Sequence, residues 1–241
     1  MSLLELKDVT KQFGGLTAVD SLSLSMKKGE ILGLIGPNGA GKSTAFNCIA
    51  GVFPPTKGKV VFDGQVINGQ KPWDLCKKGL ARTFQIVKPF ASKSVLYNVT
   101  VGAFATTSSR AEAEAKAIQV LQLLNFDDKK DAKSSDLTIA DRKRLEIARA
   151  LATEPRLLLL DEVMAGLRPA EVDEMVEIIR FLREQGITIL VIEHIMRAIM
   201  ALSDRIVVIH FGKKIAQGTP KAVASDENVI KAYLGDEYGV S

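Results

Sequence analysis

Cysteine is scarce, with two residues, Cys48 and Cys76, in a chain of 241. They follow no metal-ligand spacing and make no disulfide framework. Free, packed thiols in a reducing compartment are expected, both in helical segments. Long apolar runs are also missing. The longest, "LLLL" and "ITILVI", fall far short of the ~20 residues that cross a bilayer, so the chain is not expected to span a membrane by itself. The N-terminal stretch "MSLLELKDVTKQF" lacks a basic-then-apolar signal region. No internal repeat and no low-complexity linker occurs. Charge of one sign is not in excess either: Lys and Arg total 32 against 28 Asp and Glu, a net +4. The dense basic cluster Arg142, Lys143 and Arg144 is read as a solvated helix face with Glu146 at pairing distance, not as a nucleic-acid patch.

Apolar residues make up 46% of the chain, enough for one well-buried domain, with room for a subdomain. "LLELKDV" and "SLSLSM" alternate apolar with polar residues, the pattern of half-buried strands. "EILGLIG" is a fully apolar strand ending in glycine, and "KVVFDG" is another strand. Residues 1–85 therefore read as antiparallel strands beside one buried strand and its following helix. From Ser94 to Thr153 the chain reads mostly helical; "RAEAEAKAIQVLQLLNF" is rich in helix formers. Three β-like runs follow: "RLLLLDE", "ITILVIE" and "RIVVIHF". Between the first two, Val172, Met175, Val176, Ile179 and Leu182 recur at helical spacing, with Pro169 to open the helix and Gly186 to close it. Apolar strands alternating with helices predict a parallel sheet covered on both faces, with residues about 86–153 inserted into it.

"GPNGAGKS", Gly36 to Ser43, fits G-x-x-x-x-G-K-[ST] between an apolar strand and a helix, the setting this phosphate-binding motif requires. Gly36, Gly39 and Gly41 let backbone N–H groups of a loop that includes Asn38 and Ala40 come close to phosphate oxygens. The helix beginning near Lys42, with Ser43 and Thr44, adds the partial positive charge of its N-terminus. Lys42 is expected to reach the β- and γ-phosphates, and the Ser43 hydroxyl to ligate Mg²⁺. "LLLLDE" completes the set: Asp161 at the strand end for the magnesium shell, Glu162 to polarise the attacking water. No N-K-x-D guanine motif occurs, which argues against a P-loop GTPase.

The order "GPNGAGKST", "TFQ" with Gln85, "LTIAD" followed by "RKRLEIARALATEPRLLLLDE", and "VIEH" with His194 resembles the ATP-binding subunit of an ABC transporter over essentially the whole chain. More closely, "STAFNCIAGVFPPTKGKVVFDG", "GLARTFQ", "SDRIVVIHFGKKIAQGTP" and "AYLGDE" resemble the LivG type, which serves importers of branched-chain and other hydrophobic amino acids. The resemblance implies an α/β fold with a P-loop NTPase (RecA-like) core, an antiparallel β subdomain and an inserted helical subdomain. Residues 1–241 would form a single ABC ATPase domain, with 1–85 and 154–241 as core and β subdomain and 86–153 as the helical part. It implies ATP and Mg²⁺, a second ATPase subunit, integral membrane permeases, an external substrate-binding protein, no nucleic acid, and a place on the cytoplasmic face of the inner membrane. Phe13 would stack on adenine, Gln85 would contact Mg²⁺ or the attacking water, His194 would contact the γ-phosphate, and Ala165 to Arg168 would face the opposite subunit. From the residues alone, Phe13 reads as core and His194 is open between a structural histidine and a ligand. His210 has no family role and reads as structural. Similar ATPases of lipid or lipopolysaccharide exporters, and soluble ABC proteins acting on ribosomes or DNA, are the alternatives. Residues about 85–102 are expected to receive a permease helix, with Val87, Phe90, Val95 and Leu96 as apolar contacts.

Two glycines are missing where the family has L-S-G-G-Q, the segment that crosses to the partner's γ-phosphate. Here that segment is Leu137, Thr138, Ile139, Ala140 and Asp141. Thr138 keeps a hydroxyl, aimed at that phosphate or at capping the helix with Asp141 in a capping-box-like role. Ile139 and Ala140 add Cβ atoms, and Asp141 adds a charge expected to oppose the nucleotide. A weakened signature is the expectation. Arg168, just before Pro169, is a poor N-cap residue.

Overall fold

The computed structural model describes residues 2–83 and 89–237, with side chains to residue 234. The chain opens with a long hairpin, β1 (Ser2–Phe13) and β2 (Leu16–Lys27). Next come the buried strand β3 (Ile31–Ile35) and helix α1 (Lys42–Ile49), then β4 (Lys57–Phe62) and the two-residue β5 (Gln65–Val66). Helix α2 (Pro72–Lys77) and the short strand β6 (Leu80–Arg82) end this part. Helices α3 (Val95–Ala103), α4 (Arg110–Leu123) and α5 (Ile139–Leu151) follow. The remainder is β7 (Leu157–Asp161), α6 (Pro169–Glu184), β8 (Thr188–Ile192), α7 (Met196–Leu202), β9 (Arg205–His210), β10 (Lys213–Gly218), α8 (Pro220–Ala224) and α9 (Glu227–Glu237).

Two sheets result. One is antiparallel, in the order β2-β1-β4-β5. The other runs β10-β9-β3-β8-β7-β6 and is parallel except for β10, which pairs antiparallel with β9. Successive side chains of a strand point to opposite faces, and the central strands divide accordingly. Leu32, Leu34, Leu157, Leu159, Leu190, Ile192, Val207 and Ile209 join a core with α1 and the antiparallel sheet. Ile31, Ile35, Leu158, Leu160, Ile189, Val191, Ile206 and Val208 join a second core with α3 to α7. Both faces are covered, so both sets of side chains must be apolar, and the strands read as continuous apolar runs. The expected parallel sheet is therefore observed.

Helix α6 begins at Pro169 and buries all five periodic residues, Val172, Met175, Val176, Ile179 and Leu182. Helix α4 buries Ala113, Ala117 and Leu121, four residues apart. Cys48 is buried in α1 and Cys76 half-buried in α2, both free. Two expectations fail. Val95 is fully buried, so it makes core contacts and is not available to a permease; Leu96 is only partly buried and lines a surface groove with Tyr97 and Phe104, and Val87 lies outside the described residues. Lys143 is buried, not solvated, because it shares a stripe of α5 with Ile147, Ala150 and Leu151. Among the described residues no helix is long and apolar enough to cross a membrane.

Candidate functional site

Strand β3 delivers Gly36 into a tight loop that ends where α1 begins. A Cβ on Gly36 would lie 2.0 Å from the Ile209 carbonyl oxygen. Gly41, at φ 99°, sits in the left-handed region, and a Cβ there would meet the Ala18 carbonyl oxygen at 2.3 Å. No side chain caps α1, so its first N–H groups are left for an anion. Lys42 is buried at the first position of α1, with Nζ donating to the Gly36 and Pro37 carbonyls at 2.7 and 2.8 Å. Burial pushes its pKa below the ordinary lysine value, opposed by the charge of Glu162.

These residues open onto a cavity of about 400 Å³ lined by residues 38–44, Glu162 and His194. Leu16, Thr17 and Ala18 form one wall, Phe211 and Gly212 another. The β9–β10 turn is tied to the loop, since Gly212 N–H donates to the Ala40 carbonyl and Asp20 N–H to the Gly212 carbonyl, both at 2.9 Å. Asn38, Gly39, Ala40, Gly41, Lys42, Ser43 and Thr44 are thus brought together with Glu162 and His194. Gly36 and Asp161 stand behind the lining. Phe13, expected against a base, does not line the cavity. Its ring lies edge-to-face on Phe53 at 5.3 Å, while exposed Leu16 lines the cavity wall. Gln85 lies outside the described residues.

Glu162 follows β7 at φ 50°, an uncommon conformation for a side chain with a Cβ. Both of its backbone polar groups are engaged. Its N–H donates to Ile192 O at 2.9 Å, and its carbonyl accepts from Lys143 Nζ at 3.0 Å. Glu162 Oε1 lies 2.5 Å from His194 Nε2. Neighbouring Glu193 is buried and accepts the Met164 N–H at 2.7 Å. Burial raises its pKa, against that hydrogen bond. Burial also lowers the pKa of Lys143, while Glu193, Glu162, Asp161 and Glu146 pull it up. Asp161 is likewise pushed up by burial and drawn down by the Arg82 guanidinium, 3.2 Å from Oδ2. Sequence reasoning missed Arg82, and it missed that Lys143 supports Glu162. The signal for Lys143 was its place on the apolar stripe of α5.

The Ser43 hydroxyl is exposed in the cavity, and Asp161 ends β7, two strands from β3 in the sheet. These are hard oxygen donors of the kind Mg²⁺ takes one or two at a time beside phosphate and water. Among the described residues no cluster of His, Cys, Asp and Glu could hold a metal alone. The donor set fits a magnesium ion that arrives with a phosphate ligand.

Thr138 caps α5, away from this cavity. It accepts the Asp141 N–H at 3.1 Å and donates to Asp141 Oδ2 at 2.8 Å. The charge on Asp141 is not left to oppose an anion, because Lys129 Nζ contacts both carboxylate oxygens at 2.7 and 2.8 Å. Burial pushes the Asp141 pKa up, but the bonds from Lys129 and Thr138 outweigh it and hold the carboxyl below its usual value. Ile139 is 60% exposed and Ala140 half-buried, and neither has positive φ, so neither is strained. The Arg168 N–H and guanidinium bind the Glu171 carboxylate at 2.6–3.0 Å. The His210 ring packs on Phe211 with Nε2 buried and unpartnered among the described residues.

The family profile described as ABC transporter matches residues 19–165, and that described as branched-chain amino acid ATP-binding cassette transporter matches 213–239. The high-affinity branched-chain amino acid transport ATP-binding proteins BraF of Pseudomonas aeruginosa and LivG of Escherichia coli are each 39% identical, over 97% of this chain and 98% of theirs. The lipopolysaccharide export system ATP-binding protein LptB of Escherichia coli is 33% identical over 99% of both chains. A crystal structure of the ADP conformation of an ATP-binding cassette of an ABC transporter superposes with a TM-score of 0.90 at 32% identity, covering 98% of this chain and 99% of that one.

Proposed function

The chain belongs to the ABC transporter ATP-binding family, and from that premise we propose that it hydrolyses ATP to drive an importer of branched-chain or other hydrophobic amino acids. The observation that carries the reading is the single cavity shared by residues 38–44, Glu162 and His194. The match of residues 213–239 to branched-chain cassettes supports the substrate class. Residues 1–241 act as one ATPase domain, 1–85 and 154–241 as its core and β subdomain, and 86–153 as its helical part.

In this reading the loop N–H groups and the α1 N-terminus hold the phosphates. Lys42 exchanges its present carbonyl partners for the β- and γ-phosphate oxygens, a charge-assisted bond stronger than the neutral ones it leaves. Ser43 and Asp161, with Gln85, would hold a Mg²⁺, which would supply positive charge beside the phosphoryl group. Glu162 accepts the proton of the attacking water, and His194, already bonded to that carboxylate, fixes its direction toward the γ-phosphate. Phe13 turns from Phe53 to stack on the base. Thr138 and the N–H groups that follow it face the nucleotide of a second ATPase subunit, and residues 165–168 line that same interface. Integral permeases and an external binding protein complete the assembly at the inner face of the cytoplasmic membrane, with no nucleic acid involved.

The test is reconstitution with the permease subunits that co-purify with the chain. Glu162→Gln is expected to keep ATP binding while cutting phosphate release and amino-acid uptake by about 10²-fold or more, the scale of a lost general base. Wild-type turnover in that variant removes Glu162 from the role. Release of lipopolysaccharide, with no uptake of leucine or isoleucine, would replace the importer reading with an exporter, the activity named for the 33% identical relative.

A further inference from the structure

Arg82 ends the edge strand β6 and ties three elements together. Its Nη2 lies 3.2 Å from Asp161 Oδ2 at the end of β7. Its Nη1 donates to Asn47 Oδ1 at 2.6 Å and its Nε to the Thr83 carbonyl at 3.3 Å. The guanidinium sits 5.2 Å from the centre of the Phe46 ring. The two charged side chains are almost enclosed, 14% exposed for Arg82 and 9% for Asp161. Phe46 and Asn47 belong to α1, and Asn47 lies one turn beyond Ser43, on the same side of the helix. The strand ends are joined separately, since Asp161 N–H donates to Thr83 Oγ1 at 3.2 Å and Thr83 N–H to the Leu159 carbonyl at 2.9 Å.

A carboxylate with little water around it takes its direction from whatever donates to it. A lysine would supply charge from a flexible stem. A guanidinium pinned by two further bonds and an aromatic face supplies charge from a fixed plane. Asp161 Oδ2 is engaged in this way, while Oδ1 accepts no hydrogen bond among the described residues. On the ATPase reading above, we infer that Arg82 is a positioning residue. Braced against α1, it fixes the Asp161 carboxylate so that one oxygen is held and the other is left for the hydrated Mg²⁺ that accompanies ATP. The phosphate-binding helix and the magnesium carboxylate are thereby held in register by a residue that touches neither nucleotide nor metal.

Arg82 also walls an apolar cavity of about 280 Å³ with Leu80 and Val101, so truncation to alanine would enlarge a void and blur the result. Arg82→Gln and Arg82→Lys keep most of the volume, and Asn47→Ala loosens the brace while leaving the charge. The full chain is titrated with the fluorescent analogue mant-ATP in EDTA, and then with Mg²⁺ at fixed ATP while phosphate release is followed. Arg82→Gln is expected to raise the half-saturating Mg²⁺ concentration about tenfold and to leave metal-free nucleotide binding within about twofold. Arg82→Lys should recover part of the shift, and Asn47→Ala should move it in the same direction by less. An unchanged Mg²⁺ midpoint in folded Arg82→Gln overturns the assignment, as does an equal loss of metal-free binding, which marks a structural residue. If Arg82→Gln does not fold, unchanged midpoints in both other variants overturn it. No Mg²⁺-dependent turnover by the wild-type chain in the complex reconstituted with its co-purifying subunits would instead remove the ATPase reading itself.

Discussion

Asp141 illustrates how a residue's charge is decided by its neighbours. It stands where the family has an uncharged glutamine, yet Lys129 pairs with both of its oxygens and Thr138 binds it from the cap. Its folded pKa is lowered, so its stabilisation is complete above the unfolded carboxylate range and is lost as pH falls through the lower folded value. Asp141→Asn keeps the acceptor for Thr138 and removes only the charge. It should cost about 0.5–1 kcal/mol at neutral pH, the scale of a partly exposed pair. The difference should shrink between neutral pH and acid below the ordinary carboxylate range, as the lowered folded value is crossed. Urea midpoints of both proteins at the two pH values measure this, and a cost that persists in acid would assign the effect to packing. Lys143, two residues on, has the opposite problem. Burial disfavours its charge, and the carboxylates around it together with the Glu162 carbonyl offset that cost. The same helix that presents Thr138 outward thus supports Glu162 inward.

The three helices between β6 and β7 depend on one close approach. Gly102 in α3 lies against α5, where a Cβ would come within 2.4 Å of the Arg149 carbonyl and 3.2 Å of Ala152 Cβ. Alanine is worth up to about 1 kcal/mol over glycine inside a helix. Overpacking costs about 1–3 kcal/mol, and the atom in the way is backbone, which cannot swing aside. The clash should win, so Gly102→Ala should lower the melting temperature by several degrees, at about 2–4 °C per kcal/mol for a chain of this size. A higher melting temperature would show that the helices can slide apart without loss. Elements such as α6 and the central strands were legible because burial forces a periodic or continuous apolar pattern into the sequence. Strand β6 was not, because three residues ending in arginine carry no period. The P-loop was legible because its geometry admits few residues at fixed spacing. Arg82 and the burial of Lys143 were not, since long-range pairing gives a charge its place and leaves no local mark. The unexpected setting of Phe13 likewise depends on Phe53, forty residues away along the chain.

At the scale of the molecule, Phe90, Tyr97, Val101 and Phe104 form an exposed apolar surface on and beside α3. Phe90 belongs to the expected set, whereas Tyr97, Val101 and Phe104 take the place of buried Val95. Glutamate at Tyr97 or Phe104 would remove apolar area from any permease helix seated there, without touching the phosphate cavity. Basal ATP turnover should stay near wild type while uptake in the reconstituted complex falls at least tenfold. Equal loss of both would assign those side chains to folding. The sheet order has a further consequence, in the time course of synthesis. Strand β3 lies between β8 and β9, with Leu32 paired to both Leu190 and Arg205. Those partners are translated long after it, and at ~5–20 residues per second the wait is roughly 10–30 s. Throughout that interval the nascent chain carries an apolar strand with both hydrogen-bonding edges open, so the segment made early that positions the phosphate loop is among the last to find its neighbours.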